Sequence, residues 1–265
     1  MAIGEGAPAE SFPAIFVSHG SPMLVFESIP ARDFLTRLGR DLGRPRAILC
    51  ISAHWETAVP EVSGVDKPET IHDFFGFPEE LYKLQYPAPG APALAERAIA
   101  LLAAAGIEGL IDPTRGLDHG AWNPLMLMFP QADVPVTQLS VQPRRGPEAH
   151  LALGRALAPL RAEGILVMGS GGAVHNLAQF RVDRRVPAPW AVSFDAWLAD
   201  RIAAGDTDAL LNYRTRADAA QAQPSDEHFL PLFVAMGAGG KGARGRVLHR
   251  SFAHGSLSMS AYAWG

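Results

Sequence analysis

The chain has 265 residues, 48% of them hydrophobic and 19% charged, with a net charge of −4 and a single cysteine. That length carries a full hydrophobic core, and the balance of apolar to charged residues excludes a disordered chain. The acidic net charge leaves no footprint for nucleic acid, and one cysteine excludes an intramolecular disulfide or a multi-cysteine metal site.

In chain order, residues 1–12 carry no element signal and read as a flexible lead-in without the basic segment of a signal peptide. Ala14–Val17 is a short apolar run, read as a strand. Ser28 is placed to cap a helix from Ile29 to about Leu42, with Pro30 in its first turn. Ala47–Ser52 is the next strand, with Cys50 as a small core residue. A helix over Ala91–Ala105 stops at Gly106. Gly116 to Pro124 is a turn leading into an apolar helix whose Met126 and Met128 belong to the core. Strand Val134–Val141 is followed by helix Pro147–Ala162, then by strand Gly164–Met168. Helix Trp190–Ala204 stops at Gly205, and helix Ser225–Met236 opens on Asp226 and Glu227, favourable charges at a helix start. Gly245–Ala253 and Ser256–Trp264 read as two strands joined by a turn at His254-Gly255. The apolar runs are continuous, as in strands covered on both faces. Strands alternating with helices specify an α/β fold, one domain over residues 1–265, with a largely parallel or mixed central sheet flanked by helices. No apolar run reaches the roughly 18 residues of a membrane span, so the expected compartment is the cytoplasm. The pairs Arg144-Arg145 and Arg184-Arg185 are too short for a polyanion site and read as solvated surface.

Nine histidines carry the chemistry. His19 and His54 close two apolar strands, and His175 follows a third through Gly169-Ser170-Gly171-Gly172. Ligands of open α/β sheets bind beyond the carboxyl ends of the strands. Three imidazoles at neighbouring strand ends therefore suggest a metal or catalytic site, against the plainer reading of three satisfied polar residues. His119 sits beside Asp118, which is close enough in sequence to orient it. His228 adjoins Asp226 and Glu227 at a helix start, where a 100° step per residue lets one of the three face a given site. His72 is a candidate pocket residue; His150, His249 and His254 read as surface or structural. The glycine-rich segment matches neither phosphate-loop pattern, and Ser170 lacks the first glycine of a nucleophile elbow.

At these residues the sequence resembles the class III extradiol ring-cleavage dioxygenases, in the branch of the 4,5-DOPA type. The segments are Ser18-His19-Gly20-Ser21-Pro22-Met23, Ser52-Ala53-His54-Trp55-Glu56, Asp73-Phe74-Phe75-Gly76-Phe77-Pro78, Leu117-Asp118-His119-Gly120-Ala121-Trp122, Val174-His175-Asn176-Leu177 and Glu227-His228-Phe229-Leu230-Pro231. They run in family order from residue 14 to the C-terminus. The resemblance implies one divalent metal ion per chain, Zn2+ or Fe2+, held by His19, His54 and His228. It implies that His175 is an acid/base or a further metal ligand, and that His119 contacts substrate or oxygen. The substrates implied are a small aromatic diol, such as DOPA, and O2. Two features depart from the wider pattern. Relatives acting on protocatechuate-like rings use a carboxylate as third ligand, which leaves Glu227 as the alternative to His228. Asn123 stands where a glycine or an apolar residue is expected. Two other functions remain open at this point: a zinc-dependent Lewis-acid enzyme on a small substrate, and a metal-free binding protein on the same fold.

Overall fold

The strands are β1 (Ala14–Ser18), β2 (Ala47–Glu56), β3 (Glu61–Ser63), β4 (Leu110–Asp112), β5 (Val136–Val141), β6 (Ile165–Gly171), β7 (Gly245–His249), β8 (Phe252–Ala253), β9 (Leu257–Ser258) and β10 (Ala261–Trp264). The structure, a computed structural model, describes residues 11–181 and 186–265, so the Arg184-Arg185 pair and residues 1–10 lie outside it. One eight-stranded sheet runs in the order β4-β3-β5-β2-β6-β1-β10-β7, and β8 and β9 form a separate small hairpin. The middle strands β5, β2, β6 and β1 are mutually parallel, while β3, β10 and β7 join antiparallel. The sheet is therefore mixed, with helices over both faces.

Every residue of β1, β5 and β6 is buried, which is why their sequences read as unbroken apolar runs. Successive side chains alternate between two cores. Phe16, Leu49 and Val167 enter one; Ile15, Val17, Ile48, Cys50 and Met168 enter the other. Burial raises the Cys50 thiol well above its usual value, as befits a packing residue. Phe12 is itself buried, its carbonyl accepting from Arg161 Nε at 2.6 Å, so the chain is already anchored there.

Several boundaries differ from expectation, each for a local reason. Ile29, not Ser28, is the N-cap of helix Pro30–Leu42, and no side chain caps it. A residue before proline is held extended, so the helix can begin only at Pro30. β2 continues past Ser52 to Glu56, through a register shift against β5, and carries His54 inside the strand. The helix expected over Ser225–Met236 begins at Leu230. A start at Ser225 would put Pro231 in a position needing an N–H it lacks. The expected Pro147–Ala162 helix is α-helical over Gly146–Leu157 and tightens to a 3-10 helix over Ala158–Glu163. The terminal pair of strands is interrupted: β7 pairs with β10 and β8 with β9, around the turn at His254-Gly255 where both residues have positive φ. β3 and β4, three residues each, carry no sequence signal.

His150 is fully buried on helix Gly146–Leu157. Its Nε2 accepts from the Gln142 N–H at 3.1 Å and its Nδ1 donates to the Gly146 carbonyl at 2.7 Å, so only the neutral ring fits. Burial lowers its pKa to about 4. Because the unfolded chain takes up this proton near pH 6.5 and the folded chain does not, stability falls as pH drops from 6.5 towards 4. His150 alone is expected to contribute about 1.4 kcal/mol per pH unit in that window. His150→Gln should flatten the pH dependence of urea unfolding by one proton between pH 6.5 and 4.5; an unaltered slope would refute the assignment.

Candidate metal centre

The order β2-β6-β1 brings the carboxyl ends of three parallel strands side by side. His19 leaves β1, with its N–H bonded to Gly171 O at 3.0 Å. His54 lies near the end of β2. Between them, the end of β6 carries glycines at 169 and 171 for a steric reason. A Cβ on Gly171 would stand 2.1 Å from His228 O, and one on Gly169 would stand 2.3 Å from Pro231 O. The glycine-rich segment is thus a bed on which the turn bearing His228 lies directly, fixed by Gly172 N–H to His228 O at 2.8 Å.

Three Nε2 atoms converge there. His19 Nε2 and His54 Nε2 are 3.0 Å apart, and His54 Nε2 and His228 Nε2 are 3.3 Å apart. Ligand bonds of about 2.0–2.1 Å, at tetrahedral or octahedral angles, hold nitrogens about 2.8–3.4 Å apart. The Nδ1 partners decide where the protons lie. His228 Nδ1 faces the Glu227 carboxylate at 3.0 Å, which can only accept. His19 Nδ1 lies 3.1 Å from Ser170 Oγ, whose single proton is donated to the Gly120 carbonyl, so His19 Nδ1 is also the donor. Gly120 O is free for this because Pro124, four residues on within helix His119–Met128, has no N–H. His54 Nδ1 lies 3.3 Å from Asp73 Oδ2. Each ring thus turns an unprotonated Nε2 inwards, and lone pairs held this close fit a cation between them. Carboxylate or hydroxyl oxygens behind ligating histidines are the usual outer support of a metal. Burial, then repulsion among the histidines, lowers His19 and His228 far below the ordinary imidazole value. Burial likewise brings His54 and His175 to about 4. All four are neutral at pH 7, as ligands must be.

The other expected residues fall around this triad. His119 is at the start of its helix, 4.0 Å from His54 between ring centroids. Its orienting carboxylate is Asp73, which accepts from Nδ1 at 2.9 Å and from the backbone N–H at 2.9 Å, and not the adjacent Asp118. Asp118 caps that helix through Ala121 N–H and takes bonds from Ser52, Gln138 and Arg115. Burial pushes the Asp73 carboxyl up, but the bonds from His119 outweigh it and hold the group at about 2. His175 lies flat on His228, centroids 3.5 Å apart and planes 7° from parallel, and is grouped with Glu227 and His228 instead of with His19 and His54. Glu227 and His228 are hydrogen-bonded to each other, contrary to the helical-spacing expectation, because residues 227–229 form a turn and not a helix. Asn123 is fully buried and donates to Ser21 O at 3.0 Å. His72 lies behind the site, on Leu84 O and against Trp122. A cavity of about 440 Å³ opens over the histidines, with Phe74, Phe75, Phe77 and Phe180 in its walls.

Asp73 and Ser170 were not identified by sequence reasoning as orienting residues. Asp73 is 46 positions from His119, on a segment without regular structure, so no periodicity flags it. Ser170→Ala should leave His19 Nδ1 unpaired and lower metal affinity by about 10–100-fold. Chelator competition checks this, and unchanged affinity would show that the hydroxyl has no such role.

Residues 13–265 match the family described as the catalytic LigB subunit of aromatic ring-opening dioxygenase. The chain is 44% identical to a 4,5-DOPA dioxygenase extradiol of Portulaca grandiflora, over 98% of both chains. It is 46% identical to that of Beta vulgaris, over 93% of this chain and 94% of the relative. It is also 42% identical to that of Escherichia coli K12, over 85% and 84%. A crystal structure of an uncharacterized protein from Escherichia coli K12 superposes with a TM-score of 0.81 at 35% identity, covering 96% of this chain and 100% of that one.

Proposed function

The chain belongs to the LigB-type family of aromatic ring-opening dioxygenases, and from that premise we propose that it opens the ring of a catechol, DOPA among them, by extradiol cleavage that places both atoms of O2 in the product. The observation that carries the reading is the set of three neutral, inward-facing Nε2 atoms at the floor of a cavity large enough for one substituted ring. His19, His54 and His228 hold one divalent ion. Fe2+ is the working metal in this reading, because it supplies the one-electron chemistry that passes ring electrons to O2, which Zn2+ lacks.

The remaining roles belong to the chain. His175, neutral at pH 7 with its ring nitrogens free of protein hydrogen bonds among the described residues, takes a proton from a catechol hydroxyl. The imidazolium so formed returns that proton to a developing oxyanion later in the reaction. His119, its Nδ1 committed to Asp73, presents Nε2 to the substrate side of the cavity. Phe74, edge-on to His119 with centroids 5.6 Å apart, helps wall the ring away from water. The enzyme works in the cytoplasm, with no nucleic acid or membrane partner. Among the described residues no helix is long and apolar enough to cross a membrane.

Anaerobic loading with Fe2+ followed by addition of L-DOPA or catechol in air tests the proposal. Oxygen uptake matching a yellow ring-opened product mole for mole is expected. A three-histidine site also suits zinc bound to a hydroxide. Tight zinc, with no oxygen uptake on any catechol after iron loading, would replace the dioxygenase by a Lewis-acid enzyme.

A further inference from the structure

Two large apolar side chains stand open to solvent at the mouth of the cavity. Phe75 is 92% exposed and Leu177 is 62% exposed, yet both line the same space as the histidines. They come from separate walls. Phe75 belongs to the segment that Asp73 ties to His119 and His54, and its neighbours Phe74 and Phe77 pack edge-on at 5.3 Å. Leu177 follows His175, and Phe180 beyond it is stacked on His254 at 4.5 Å. His254 in turn is bonded to Glu27 at 2.9 Å, so this wall is braced from behind. Isolated exposed apolar residues need no explanation, but apolar residues continuous with a cavity mark where a ligand's apolar surface sits. The charges around them are equally informative. Among the described residues, no lysine or arginine lines the cavity, and its one acid, Asp73, is engaged with two histidines.

We infer that the mouth is a subsite for the apolar stem of a ring substituent and that the charged head beyond the stem stays in water, unrecognised. This deepens the catechol reading and rests on it. The substrate class is then catechols with an alkyl or aryl-alkyl substituent, selected by stem and tolerant of head group: an amino acid, an amine, a carboxylate or no charge at all. Phe75 and Leu177 are the specificity-determining residues.

The test is calorimetric titration under argon of the zinc-loaded protein, which binds without turning over. The probes are catechol, 4-propylcatechol, L-DOPA, dopamine and 3,4-dihydroxyphenylpropionate. The propyl compound is expected to bind about tenfold more tightly than catechol, from the apolar surface its stem buries. The three charged compounds should fall within about fivefold of one another, the range of a solvated charge. Phe75→Ala should cut the advantage of the propyl compound at least about threefold, and Phe75→Leu should restore most of it. At its exposure, neither change disturbs the core. L-DOPA binding more than about tenfold more tightly than dopamine and dihydroxyphenylpropionate would reveal a head-group site and overturn the inference, since a solvated charge contributes less. So would equal binding of catechol and 4-propylcatechol, no binding of any probe, or an unmoved ratio in Phe75→Ala. Oxygen uptake by the iron-loaded protein is read separately. Stem selectivity without ring opening would sink the dioxygenase reading and leave the subsite standing.

Discussion

His54→Ala is expected to lose its metal. His54 is the hinge of the triad, since its Nε2 makes both of the short contacts, to His19 and to His228. Structural metal sites with several ligands bind with about 10–16 kcal/mol, so removing one of three should cost at least about a hundredfold in affinity. The variant should emerge from dialysis with little metal while wild type retains close to one ion per chain. Binding to the folded state alone also raises thermal stability by mass action. The upward shift in melting temperature on adding Fe2+ or Zn2+ should therefore vanish in His54→Ala and in His19→Ala. It should survive in His249→Ala, where the ring stacks on Phe34 away from the site. Full metal content in either triad variant would overturn the ligand assignment.

His175→Ala should separate metal binding from chemistry. The ring is stacked on the face of His228 and lies outside the convergent triad. The variant should hold its metal and bind catechol under argon, yet lose about 10²–10⁴-fold in kcat, the usual contribution of a single acid/base. Turnover within about tenfold of wild type would remove His175 from proton transfer. Loss of metal together with activity would make it a ligand instead. The pair of experiments distinguishes the two roles that the family resemblance leaves open.

The fold class and the three strand-end histidines were legible because both follow from short-range rules. Buried parallel strands are continuous apolar runs, and β1, β2 and β6 each end in polar or small residues where the sheet meets the crevice. What could not be read lies in contacts between distant positions. The pairing of His119 with Asp73 depends on a loop without period. The bond from Ser170 to Gly120 O exists because Pro124 vacates that carbonyl on a helix packed against another strand. The misplaced helix start before His228 is different, since Pro231 was visible and its missing N–H already forbade a start at Ser225. The glycines at 169 and 171 illustrate the opposite hazard. A phosphate-cradling composition there serves close packing of backbone on backbone.

The placement of β1 has a consequence for how the chain reaches its native state. The strand that delivers His19 is flanked by β6, about 150 positions later, and by β10, whose Trp264 pairs with Ala14. During synthesis, residues 14–18 have no strand to join until β6 has been made, about 150 positions later, and their other edge stays open until β10 follows. Such long-range pairing is slow and leaves an apolar edge uncovered in the meantime. The nascent protein therefore carries a strand that needs protection from aggregation. His19 reaches its place beside His54 and His228 only when β1 has paired with strands made long after it.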